Sequence, residues 1–139
     1  MPLRYDQLAA QLAKGLAPIY VVTGDEPLQH VEAADMIRRT ARERGFGSRE
    51  VFDAASDFDW NRLSESANSL SLFAEQRLVD LRLPSGKPGR EGGAALTAWA
   101  ERPPEDTVLL LTLPKLEQQA RRGRWFSALE KAGVVVQVW

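Results

Sequence analysis

The stretch Ile19-Tyr20-Val21-Val22-Thr23-Gly24-Asp25-Glu26-Pro27-Leu28 decides the fold. Its first four residues are β-branched or aromatic, a run short enough for a strand and apolar enough to be buried on both faces. Thr23-Gly24 ends that strand. Pro27 stands where the first turn of a helix tolerates a missing N–H, and Asp25 and Glu26 lie near the positive end of its dipole. Leu28, Val31, Ala34, Ile37 and Ala41 then recur as an inward stripe at helical spacing, until Gly45 and Gly47. A buried strand turning through glycine into a helix is the opening unit of a parallel α/β sheet.

Working outward, Leu8, Leu12 and Leu16 place a helix before this strand, stopped by Gly15 and Pro18. After it, Glu50–Ala54 reads as a second strand, and Asp59 as the N-cap of a helix carrying Trp60, Leu63 and Ala67. Gln76–Leu83 alternates apolar and polar residues, which predicts a third strand with one half-exposed face. Pro84–Gly93 is rich in Gly and Pro and reads as a surface loop, followed by a helix over Ala94–Glu101. Thr107–Leu113 is the most apolar strand and belongs at the centre of the sheet. A last helix turns Trp125, Phe126 and Leu129 inward and ends at Gly133, before a fifth strand over Val134–Val138. The alternation predicts a three-layer α/β domain: a parallel five-stranded sheet with helices on both faces.

Composition narrows the chemistry. The 139 residues hold one His and no Cys, which removes disulfide and thiolate chemistry and leaves no ligand set for zinc. No metal or cofactor is expected. Eighteen basic against nineteen acidic residues argue against global attraction to nucleic acid. No apolar run approaches the ~18–20 residues of a membrane span, and no signal-peptide core opens the chain, so a soluble cytoplasmic domain is expected. The chain closes on the apolar run Val134–Trp139, which reads as the boundary of one domain, 1–139, within a longer chain.

The ten-residue stretch also poses the nucleotide question. A phosphate-binding loop runs Gly-x-x-x-x-Gly-Lys-Ser/Thr, with backbone N–H groups around the phosphates. Here Gly24 is followed by Asp25, Glu26, Pro27 and Leu28, and then Gln29, His30 and Val31 replace Gly, Lys and Ser/Thr. Pro27 deletes a donor, and two carboxylates stand where a polyanion would sit. The strand Thr107–Leu113 leads to Pro114, with Glu117 as its first carboxylate, rather than to a magnesium-binding acid. Gly86-Lys87 lacks both the upstream Gly and the following Ser/Thr. His30, alone near a helix start, reads as a surface residue. Asp53, Asp57 and Asp59 read as capping and turn residues rather than a metal site.

Ser69-Leu70-Ser71-Leu72-Phe73 leaves two readings open. Leu72 and Phe73 turn into the core at a helix end, or they anchor in a partner's apolar pocket. Trp60, Leu63, Ala67 and Leu70 already make one inward stripe, and two adjacent residues cannot both lie on it.

Thr23–Leu28, Ser69–Arg77, Leu83–Gly89 and Leu113–Leu116 occur in this order. Together they resemble the N-terminal domain of the delta-subunit family of bacterial DNA polymerase III clamp loaders, across essentially the whole chain. The resemblance implies an AAA+-like domain with a degenerate phosphate loop and no ATP hydrolysis of its own. It implies binding of the beta sliding clamp and help in opening that ring for loading onto primed DNA. Further partners implied are the gamma/tau and delta prime subunits, through a C-terminal region, and primer-template DNA. By position the clamp-binding wedge is Leu72-Phe73, flanked by Ser69, Leu70 and Ser71. Clamp-binding peptides often read Gln-Leu-x-Leu-Phe; Ser69 takes the Gln place, so the apolar pair alone carries over.

Lys115, Arg121, Arg122, Arg124 and Lys131, against Glu117 and Glu130, make a local excess of basic charge. It is either a solvated face or a contact for DNA or an acidic subunit surface. Residues 25–60, with nine acids and five arginines, do not suit nucleic acid. Three functions therefore compete: a non-catalytic clamp-opening subunit, an active NTPase, and a standalone α/β module for a small ligand.

Overall fold

The computed structural model describes residues 2–68 and 76–139. In chain order the elements are β1 (Leu3–Arg4), α1 (Tyr5–Lys14), β2 (Ile19–Gly24), α2 (Pro27–Glu43), β3 (Ser48–Asp53) and α3 (Asn61–Ala67). They continue with β4 (Arg77–Arg82), α4 (Gly89–Glu101), β5 (Thr107–Leu113), α5 (Gln118–Arg121), α6 (Arg124–Ala132) and β6 (Val134–Val138). The strands form one sheet in the order β1-β6-β2-β5-β4-β3, with every neighbouring pair parallel.

The sheet has six strands, not five. The additional one pairs Leu3 and Arg4 with Val136 and Gln137. Two residues cannot display the alternation by which a strand is recognised in sequence.

Alternation in the central strands feeds two apolar layers. Tyr20, Val22, Leu110 and Val136 meet Leu8 and Leu12 of α1 and Ala34 and Ile37 of α2. Ile19, Val21, Leu109, Leu111 and Val135 face the other way, onto Leu63 of α3, Leu96 and Trp99 of α4, and Phe126 and Leu129 of α6. β2 and β5 are central and buried on both faces, which is why they read as unbroken apolar runs. No helix among the described residues is long and apolar enough to cross a membrane.

Five sequence expectations need correction. Leu28 and Val31 do not join the inward stripe of α2; they are 64% and 56% exposed, and burial begins at Ala33. Helix α4 begins at Gly89, inside the predicted loop, because the glycines that suggested a loop lie in its first turns. A short helix, α5, precedes the last predicted one. The polar side of β4 is not half-exposed either, since Asp80 is fully buried. Its Oδ2 accepts from Arg38 Nε at 2.9 Å and from Arg49 Nη2 at 2.8 Å. Asp59 is not the N-cap of α3 either: Trp60 takes that position without a side-chain bond, and Asp59, one residue further out, accepts the Asn61 N–H at 3.0 Å.

Candidate functional site

The chain leaves β2 for α2 on one face of the sheet and leaves the adjacent β5 for α5 and α6 on the other. Neighbouring parallel strands whose connections diverge open a crevice at their carboxyl ends, the usual place for a ligand in such sheets. That crevice is a cavity of about 550 Å³, with Pro27, Val31, Leu83, Pro84, Leu113 and Pro114 on its walls. Gly24, Asp25 and His30 of the predicted loop also border it.

The loop itself is closed by internal bonds. Gly24 has φ +149°, and a Cβ there would lie 1.8 Å from the carbonyl oxygen of Val138. Close approach to β6 therefore demands this glycine. The Glu26 N–H donates to the same carbonyl at 3.3 Å. Glu26 then acts as N-cap: its Oε2 accepts the Gln29 N–H at 2.5 Å, and Pro27 supplies no donor at the first helical position. The positive end of the α2 dipole thus already faces a carboxylate of its own chain. His30 is half-buried rather than a free surface residue. Its Nε2 lies 2.9 Å from the Leu113 carbonyl, which can only accept, so this nitrogen carries the proton. Thr23 Oγ1 donates to the Pro114 carbonyl at 2.7 Å. These two bonds pin the end of β5 to the loop after β2. Val31 is exposed at the mouth.

The predicted basic group divides. Lys115 and Arg121 stand over the ring of Trp139, at 5.3 and 5.8 Å from its centroid. Lys115 also reaches Asp25 at 4.0 Å, a surface contact of little energetic weight. Arg122 and Arg124 instead line a separate hollow between α4 and α6, with Lys131 and Glu101. The five cations do not form one track.

Ser69, Leu70, Ser71, Leu72 and Phe73 lie outside the described residues. Their flanks are tied together. Arg77, the first residue of β4, donates through Nη1 to Ser66 Oγ at 2.6 Å and through Nη2 to the Ser66 carbonyl. Ser66 Oγ donates in turn to Glu50 Oε1 at 2.6 Å. The last turn of α3 and the start of β4 are thereby fastened to β3. Nothing in the sequence singled out Arg77 or Ser66, because their partners are brought by the fold.

The family model described as DNA polymerase III, delta subunit, matches residues 20–138. The DNA polymerase III subunit delta of Escherichia coli K12 is 30% identical over 131 residues, covering 94% of this chain and 38% of that protein. The subunit of the same name from Haemophilus influenzae is 30% identical over 128 residues, 91% of this chain and 36% of its own length. The chain thus spans well under half of these relatives. Among solved structures, the Bacillus subtilis DNA clamp loader delta protein superposes with a TM-score of 0.73 at 23% identity, covering 96% of this chain and 42% of that one. A gamma subunit-related protein of DNA polymerase III from Thermotoga maritima gives 0.59 at 13% identity, covering 97% and 45%. The two structural likenesses extend to the fold.

Proposed function

The chain belongs to the DNA polymerase III delta-subunit family, and from that membership we propose that it binds the beta sliding clamp and helps open the ring without hydrolysing ATP. The observation that carries the non-catalytic half of this reading is the bond from the Gln29 N–H to Glu26 Oε2. A nucleotide's phosphates would need that helix end, and they would meet a carboxylate there. Gln29, His30 and Val31 in place of Gly, Lys and Ser/Thr, and the carboxylate-free end of β5, support the same conclusion. We read the loop Gly24–Val31 as a degenerate phosphate loop in an AAA+-like domain.

Clamp binding is assigned to Leu72 and Phe73, with Ser69, Leu70 and Ser71 beside them. Burying a Leu and a Phe side chain is worth about 1.5–3 kcal/mol each, so the pair supplies an anchor of useful strength. The wedge opens the ring only by as much as it binds the open geometry better than the closed one. Contacts with the gamma/tau and delta prime subunits are assigned to the larger part of the full-length protein that this chain does not span. Lys115 and Arg121 at the carboxyl end of the sheet, and Arg122 and Arg124 between α4 and α6, are candidate contacts for primer-template DNA or a neighbouring subunit.

Ring opening tests the reading. A beta clamp carrying a fluorophore pair across one subunit interface is mixed with the full-length protein without nucleotide. Separation of the pair is expected with wild type and not with Leu72→Ala/Phe73→Ala. Opening that requires ATP turnover by this protein alone would refute it.

A further inference from the structure

Residues 25–60 are acidic in sum, yet the fold sorts their charges. Arg38, Arg39 and Arg42 of α2 and Arg49 of β3 line one cavity of about 660 Å³, which shares no residue with the crevice at Gly24. Met36, Phe46 and Leu78 give it an apolar lining.

Two of the four arginines are held from below. Arg38 and Arg49 both bond Oδ2 of the fully buried Asp80, and Arg82 Nη2 lies 3.7 Å from the same oxygen. Arg38 Nη1 is also fixed by Asp35 Oδ1 at 2.8 Å. Nη2 of Arg38 and both Nε and Nη1 of Arg49 remain uncommitted to described residues. Arg39 and Arg42 are exposed and make no ion pair or side-chain hydrogen bond with a described residue. They stand three residues apart on one helix face, and Arg38 and Arg42 four apart, spacings at which like charges repel. Buried carboxylate–arginine clusters add little net stability over apolar packing. Folding alone therefore gives no reason to gather four guanidinium groups around one hollow.

We propose that this cavity binds a phosphate ester. A tetrahedral phosphate presents three terminal oxygens to several planar guanidinium groups at once, whereas a carboxylate presents two. Glu32, which accepts the Tyr5 hydroxyl at 2.8 Å, and Asp35 stand on the rim and oppose a run of successive phosphates. The ligand is thus one phosphate group on a compact apolar or aromatic body, which lies against Met36, Phe46 and Leu78. The volume suits a molecule of nucleotide size. Such a group comes from a free nucleotide or from the phosphorylated end of a strand.

Calorimetry on the full-length protein distinguishes these outcomes. The probes are inorganic phosphate, thymidine monophosphate, and oligothymidine with or without a 5′ phosphate. Saturable binding is expected for inorganic phosphate and for at least one phosphorylated nucleotide probe; the tighter of the two nucleotide probes identifies the source. Arg39→Ala/Arg42→Ala should weaken binding about tenfold or more, while Arg90→Ala/Arg102→Ala on the opposite face should not. Unchanged clamp affinity in both pairs reports an intact fold. Equal weakening in the two pairs would reduce the effect to general charge and overturn the site. So would the absence of saturable phosphate binding, or binding of neither phosphorylated nucleotide probe.

Discussion

Glu26 caps the helix that it begins: its Oε2 accepts the Gln29 N–H at 2.5 Å, while its own backbone N–H donates to the Val138 carbonyl. The site most suited by topology to a nucleotide is therefore satisfied from within. Glu26→Ala should cost about 1 kcal/mol of stability, as for loss of an N-cap. It should not create ATP binding, because Lys and Ser/Thr remain absent. Urea unfolding and equilibrium dialysis with ATP check both halves; ATP retained by the variant would contradict the account of this loop.

Gly24 answers to β6 rather than to a phosphate. Its backbone has positive φ, and any Cβ would enter the Val138 carbonyl. Gly24→Ala should destabilise by about 3 kcal/mol, the scale of a backbone strain combined with a steric clash. A urea midpoint close to wild type would mean that the approach of β2 to β6 is looser than described.

Asp80 and Arg49 share a bond but not a burial: the carboxylate is inaccessible and the arginine side chain is 44% exposed. Removing the buried partner strands several guanidinium groups, so Asp80→Ala should cost about 3 kcal/mol or more. Arg49→Ala leaves Asp80 bonded to Arg38 and should cost about 1 kcal/mol or less. Equal losses in chemical denaturation would contradict this asymmetry.

Tyr20 gives the fold an alkaline limit. Burial raises its pKa above the ordinary 10.0, against the opposing bonds with the Ala17 N–H and Gln11 and the nearby Arg44 charge. The folded state thus holds the phenolic proton more tightly than the unfolded chain does. The resulting stability is complete below pH 10.0 and falls as pH rises from there through the folded value. Tyr20→Phe should flatten this decline while costing about 1 kcal/mol at neutral pH for the lost hydrogen bonds. Stability profiles between neutral and strongly alkaline pH check it; parallel curves would assign the limit elsewhere.

What the sequence disclosed depended on how local each signal was. β2, β5 and β6 are contiguous apolar runs, and the loop Gly24–Val31 is a contiguous motif, so both were legible. β1 was not, because Leu3–Arg4 is defined only by its partner β6. Leu28 and Val31 share the period of the α2 stripe, but periodicity does not say where a helix meets the sheet. Asp80 looked solvent-facing because alternation cannot separate water from arginines 42 and 31 residues away in sequence. The arginine cavity was hidden for a related reason: net charge along residues 25–60 sums over faces that the fold separates.

The central claim, that Leu72 and Phe73 anchor this protein to the sliding clamp, is tested most directly by equilibrium binding. Beta clamp is immobilised and titrated with the full-length protein and with Leu72→Ala/Phe73→Ala, both verified as folded by circular dichroism. Loss of two buried apolar side chains predicts at least ~100-fold weaker binding. Undiminished affinity in the folded double variant would contradict the claim.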